Sequence, residues 1–214
     1  AVGHRLEGER QIDDKDGQTF KDRIGQRIIP TFLSVIDDPT IERFNGTYVL
    51  GYYPFDDQGV PGQRVVLVNN GILENFLLSR TPINGFYKSN GHGRASYGRV
   101  PMARIIKSDK EYTRDQLKKL LIDEVKRQNK PFGVIIEKMI GGETSTSSYN
   151  FQAFKATPLV IYKVDPQTGK ETLATGVEVV GTPLISINKI MATGDDYAVF
   201  NGFCGAESGY VPVS

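Results

Sequence analysis

The chain has 214 residues, enough for one large domain or two small ones with a real core. Its 26 basic and 25 acidic residues leave a formal net charge of +1, which gives no long-range field to gather nucleic acid or an anionic membrane. No apolar run approaches the roughly 18–20 residues of a membrane-spanning helix, and a single cysteine excludes an intrachain disulfide.

The first eleven residues, Ala1 to Gln11, carry His4 in a run with helical character. Asp13 to Gly17 is a polar loop, Thr31 to Ile36 a short apolar run, and Pro39 after Asp37-Asp38 marks a turn. Phe44 to Gly62 is rich in Gly and Pro and reads as loop or irregular strand. The strongest local signal follows: Arg64 to Val68, then Asn69-Asn70-Gly71, then Ile72 to Leu78. Two apolar arms around Asn-Gly predict a hairpin with a primed turn, because both residues tolerate the positive φ that matches strand twist.

Gly85 to Arg104 is a basic, glycine-rich stretch read as a flexible loop bordering a cleft, with His92 as a solvated loop residue. It has neither Walker A nor Rossmann nor RNP spacing, which disfavours a phosphate or nucleic-acid loop. Thr113, with Gln116 three residues on, opens a helix to about Gln128, and Leu117, Leu120, Leu121 and Val125 make its apolar stripe. Phe132 to Met139 reads as a buried strand and Glu143 to Ser148 as a solvated loop. Leu159 to Val164 and Glu171 to Val180 form a second hairpin around Asp165 to Lys170. The expected fold is α+β: a mostly antiparallel, hairpin-rich sheet, barrel-like in one variant, with one long helix packed on it.

Cys204 lies between Gly202 and Gly205, where the backbone is free to bend and present the thiol. Beside a plain buried thiol, three roles stand open: a metal ligand paired with His4, a nucleophile with His4 or His92 as base, or a redox thiol, which here lacks a resolving partner. The serine of Gly205 to Gly209 falls one place late for a hydrolase elbow. The Asp pairs at 37–38, 56–57 and 195–196 sit beside Pro or Gly, so turn chemistry accounts for them better than a carboxylate dyad or a hard-metal site.

Five stretches, in this order, carry a resemblance: Ala1-Val-Gly-His-Arg-Leu-Glu-Gly8, Ile36-Asp-Asp-Pro-Thr40, Phe55 to Arg64 running into the hairpin, Gly181-Thr-Pro-Leu184, and the glycine-flanked Cys204. Together they resemble the C-terminal half of the TldD/PmbA metallopeptidases, also named modulators of DNA gyrase, along essentially all of residues 1–214. The family opening His-Glu-x-x-x-His implies two zinc-binding histidines and a general-base glutamate, with a distant cysteine as third protein ligand. Carried over, His4 is the second histidine and Cys204 the cysteine, while the first histidine and the glutamate would immediately precede Ala1. The chain is then expected to begin inside the metal-binding helix, to contain no catalytic residue of its own, and to bind zinc weakly without activity.

Histidines five apart point about 140° from each other on a regular helix, so their convergence implies a widened, π-type turn, which Gly3 would permit. Glu7 is a candidate for orienting a ligand, with an exposed surface role as its alternative. Ala206-Glu207-Ser208 departs from the family's more usual continuation after the cysteine and puts the neighbouring substrate contacts in doubt. The resemblance implies a hydrolase of peptides or unfolded segments, paired with itself or with a related subunit; the lone cysteine and the balanced charge add the expectation of a cytoplasmic protein without nucleic acid or membrane as direct partner. Its alternatives are a non-catalytic partner subunit for assembly or peptide binding, and a Cys–His hydrolase.

Overall fold

The computed structural model describes residues 3–12, 20–93, 104–145, 153–206 and 209–214. It divides the chain into two compact units: a split unit, Val2–Asp109 with Tyr197–Ser214, and an inserted unit, Lys110–Asp196.

In the split unit the described opening residues make two 3₁₀ turns, Gly3–Leu6 and Glu9–Gln11, where helix was expected; the turn expected to be widened, before His4, lies outside the described residues. Hydrogen bonding explains this. The Gly8 N–H leaves the helical path for the Leu77 carbonyl (2.7 Å), and the Gln11 side chain takes the carbonyls of Arg5 and Glu7. Strand β1 (Leu33–Asp37) follows, then a two-residue ladder of β2 (Arg43–Phe44) and β3 (Thr47–Tyr48) within the stretch read as irregular. The hairpin β4 (Val65–Asn69) and β5 (Ile72–Leu73) turns through Asn70 (φ 46°) and Gly71 (φ 80°), the primed geometry expected of Asn-Gly. Its second arm is shorter than the apolar run, because beyond Leu73 the chain swings to the opening segment, where the Leu77 N–H bonds the Leu6 carbonyl at 2.8 Å. With β6 (Arg104–Ser108) the sheet has the order β5-β4-β1-β6, all antiparallel. Leu67, Val68 and Leu73 are fully buried in it, and Phe76, Leu77 and Leu78 extend the core toward the opening turns.

The inserted unit opens with β7 (Glu111–Tyr112) and α1 (Arg114–Arg127). Thr113 and Gln116 form the reciprocal capping box, which closes two of the orphan N–H groups at the helix start. Leu121 and Val125 lie against Gly133 on β8 (Gly133–Ser145), and Lys118 reaches Glu171 at 2.6 Å. β8 pairs with β9 (Ala153–Val164), both much longer than the apolar runs at 132–139 and 159–164. Register shifts fall between Ile136 and Gly141, and regular pairing resumes at Gly141 opposite Thr157, so the ladder continues where a solvated loop was expected. The rest of that expected loop, residues 146–148, lies outside the described residues.

On its other edge β9 is met by two separate strands, β10 (Glu171–Ala174) and β11 (Val179–Gly181), which replace the single run expected over 171–180. Gly176, with φ 71°, breaks it. A short α2 (Pro183–Asn188) and β12 (Thr193–Gly194) complete the unit, and β12 pairs in parallel with β7. The chain then returns to the split unit as the hairpin β13 (Gly202–Ala206) and β14 (Gly209–Val213). Antiparallel pairing dominates and α1 is the long helix, so the class is α+β. The described sheets are open, which corrects the barrel-like variant.

Candidate metal centre

His4 lies in the first 3₁₀ turn, and the backbone after it is bolted in place. Glu7 bridges to Leu77 in a parallel pairing, and the Gly8 N–H and the Leu6 carbonyl bond the backbone of Leu77 from either side. The buried Gln11 amide donates to the Arg5 carbonyl (3.0 Å) and the Glu7 carbonyl (2.8 Å), and its oxygen accepts from the Phe20 N–H (3.0 Å). One side chain thus satisfies three main-chain groups that would otherwise be costly to bury. Arg5 is also buried, with its guanidinium over the Phe20 ring at 5.6 Å, and burial draws its pKa below the ordinary arginine value. Glu7 is only 8 % exposed, which overturns the surface alternative for it.

Cys204 stands in the middle of β13, opposite Val211. Both ends of the hairpin are tied to the 48–51 backbone. Asn201 donates to the Tyr48 carbonyl (2.7 Å) and accepts from the Leu50 N–H (3.1 Å), while the Ser214 hydroxyl accepts from the Gly51 N–H (3.1 Å) and donates to Asn201 (2.7 Å). His4 and Cys204 therefore come from opposite ends of the sequence into the same compact unit. Their side chains lie outside the described residues. An imidazole and a thiolate are ordinary zinc donors, so the donor chemistry of the pair fits that ion. Among the described residues no group of three or more His, Cys, Asp or Glu is gathered so as to hold a metal.

His92 departs most from its sequence reading. It is fully buried: Nδ1 sits 2.9 Å from the Asn90 carbonyl and 3.0 Å from Asn90 Oδ1, and Nε2 sits 3.2 Å from Asp37 Oδ1. The Asn90 amide is itself fixed, accepting from the Leu78 N–H and donating to the Phe76 carbonyl, and Tyr53 stacks edge-on against the imidazole. Both ring nitrogens are engaged and the imidazole has no exposed surface, so His92 is a buried residue and not the solvated loop residue its glycine neighbours suggest. Asp37 likewise serves more than a turn. Asp38 behaves as turn chemistry predicts and accepts from Thr40, while Asp56 accepts locally from Gln58 and Val60 and, with its other oxygen, from the distant Gly93 N–H (2.8 Å). The only sequence cue to the Asp37–His92 pair is a histidine flanked by glycines, and that pattern reads equally well as solvated loop. Residues 94–103 of the same stretch lie outside the described residues.

The split unit also holds an apolar cavity of about 340 Å³, walled by Ile41, Phe44, Val49, Ile105, Tyr197 and Phe200. Its size is at the lower end of ligand pockets, and its lining suits an apolar group.

Comparison with known proteins defines a class, that of a metallopeptidase C-terminal domain. The family model described as "PmbA/TldA metallopeptidase C-terminal domain" matches residues 1–212, and the chain belongs to that family. A metalloprotease of Methanocaldococcus jannaschii is 29 % identical over 215 residues, which cover 100 % of this chain and 44 % of that protein. A protein of Saccharolobus solfataricus named as a zinc metalloprotease and TldD homolog is 28 % identical over 221 residues, with the same two coverages. The chain thus spans less than half the length of these relatives. Among solved structures, a Thermotoga maritima protein described as a modulator of a DNA gyrase superposes with a TM-score of 0.64 at 20 % identity, over 97 % of this chain and 42 % of that one. TldE from Thermococcus kodakarensis superposes with a TM-score of 0.61 at 15 % identity, over 99 % and 43 %. At these identities the structural likeness speaks for the fold.

Proposed function

We propose that this chain supplies two ligands, His4 and Cys204, to the zinc site of a metallopeptidase that hydrolyses peptides or unfolded segments. The observation that carries the reading is the entry of these two zinc donors, from opposite chain ends, into one compact unit of a domain matched to the metallopeptidase family over residues 1–212. When bound, zinc with three protein ligands would supply a Lewis acid and lower the pKa of a bound water to about 7. The chain's own residues hold and orient. Leu77 and Gln11 fix the backbone that follows His4, and β13 presents Cys204. Orienting a ligand is the role we assign to Glu7, whose burial three residues beyond His4 supports it. The remaining histidine ligand and the general base come from residues outside 1–214. The substrate is an extended peptide, and the working form is a cytoplasmic dimer of identical or related subunits.

Metal analysis and a peptidase assay on the full-length protein, beside its Cys204→Ser variant, test the reading. One zinc per subunit and chelator-sensitive cleavage are expected, and both should fall steeply in the variant. A metal-free full-length protein without peptidase activity would refute the reading and favour a non-catalytic partner subunit. Cleavage that survives complete metal removal but is stopped by thiol alkylation would favour a Cys–His hydrolase with His4 as base.

A further inference from the structure

We infer that Asn201 is the positioning residue for Cys204, with Ser214 as its support. The inference rests on the proposed role of Cys204 as a metal ligand. Among the described residues, β13 and β14 pair with each other and join no larger sheet. A two-stranded hairpin alone is marginally stable, so its orientation has to come from what ties it down. The aromatics with described side chains beside it add little packing, since Phe200 is 77 % exposed and Phe203 65 %.

The ties sit at the open end of the hairpin, beside the Gly202–Val213 pair. There Asn201 takes the Tyr48 carbonyl and the Leu50 N–H just as a neighbouring strand would, at 2.7 and 3.1 Å. The Ser214 hydroxyl links Asn201 Oδ1 to the Gly51 N–H, so the start and the end of the hairpin share one anchor.

Geometry gives this anchor leverage over the thiol. Cys204 is three residues along the strand, about 10 Å from Asn201 at about 3.3 Å per residue. A pivot of about 10° at the anchor would then carry Cys204 by about 1.7 Å, whereas metal–ligand distances tolerate only about 0.2 Å. The amide of Asn201 acts through the direction of β13 and not by touching the metal.

The test uses the full-length protein loaded with Co²⁺, whose thiolate-to-metal charge-transfer band in the near ultraviolet reports Cys204 directly. The wild-type protein should show the band and Cys204→Ser should lack it. Asn201→Ala should lower Co²⁺ affinity about 10–100-fold, the range for residues that orient ligands, and weaken or shift the band while the circular dichroism spectrum stays native. Asn201→Asp keeps the oxygen that accepts from Leu50 and Ser214 and should recover part of the loss. If Asn201→Ala does not fold, Ser214→Ala takes its place, with a smaller loss of affinity in the same direction. Absence of the band from the wild-type protein would overturn the metal reading of Cys204. A wild-type band together with unchanged affinity and band in the folded anchor variant would overturn the role of Asn201.

Discussion

Gly8→Ala isolates the packing that holds the His4 segment. Gly8 has φ −61° and ψ −43°, a conformation that alanine adopts freely. On backbone entropy alone the substitution should stabilise by about 0.4–1 kcal/mol. Space decides otherwise. A Cβ there would lie 2.7 Å from Leu78 Cδ2 and 2.9 Å from the Leu77 carbonyl oxygen, the same oxygen that accepts the Gly8 N–H at 2.7 Å. Overpacking of this kind costs about 1–3 kcal/mol, and loosening the hydrogen bond adds about 0.5–1.5 kcal/mol. The expected balance is a loss of about 2 kcal/mol, centred on the contact between residues 6–8 and Leu77. Hydrogen exchange read by mass spectrometry on the peptides covering 3–12 and 74–79 should show about thirtyfold faster exchange, since about 1.4 kcal/mol corresponds to a factor of ten. Leu78→Val in the Gly8→Ala background should relieve only part of it, because the Leu77 oxygen is backbone and stays. Unchanged or slower exchange in Gly8→Ala would refute the steric argument.

Two further outcomes follow from buried and exposed polar groups. His92→Ala removes a fully buried, hydrogen-bonded ring and should destabilise the split unit by about 2–5 kcal/mol in urea unfolding; a loss under about 1 kcal/mol would show that the ring's packing and hydrogen bonds carry little of its stability. In the inserted unit, hydrogen bonds from Arg127 and Gln128 hold Glu124 down from 4.5 to about 2. The Lys118 hydrogen bond lowers Glu171, and the Thr168 and Gln167 N–H groups lower Asp165. Carboxylates depressed in the folded state stabilise it above their unfolded pKa, and that contribution is lost as pH falls through the folded value. The melting temperature of the inserted unit should therefore decline from about pH 4.5 toward pH 2, and Glu124→Gln should flatten the decline. An identical slope in the variant would remove Glu124 from the account.

Local chemistry was readable wherever neighbours in sequence decide structure. The Asn70-Gly71 turn and the Thr113–Gln116 box need only a few adjacent residues, and both form as their residue types require. Pairing that depends on distant segments was not readable. The apolar run 72–78 reads as one strand arm, yet its second half serves the opening turns, because Leu77 finds Leu6 and Gly8 there. Gly141 and Gly142 look like the end of a strand, but β9 offers them partners in Thr157 and Ala156 and the ladder runs on through both. His92 was misjudged for a similar reason, since its partner Asp37 lies 55 positions away. The candidate ligands were legible through resemblance. The amides that secure their backbones, Gln11 and Asn201, carry no sequence pattern that separates them from ordinary surface residues.

The parallel pairing of β7 with β12 bears on how the polypeptide assembles itself. These two strands set Glu111 beside Thr193, so the entry and exit of the inserted unit are neighbours. Without that pairing, the split unit would have to close a tether running from 110 to 196, whose length term alone is about 4 kcal/mol. A continuous segment with local hairpins can organise first, and once β7 meets β12 the tether shrinks to the width of one ladder. The same geometry makes the segment a natural cassette. Its bounds, Lys110 and Asp196, leave both the His4 and the Cys204 segments in the remaining polypeptide.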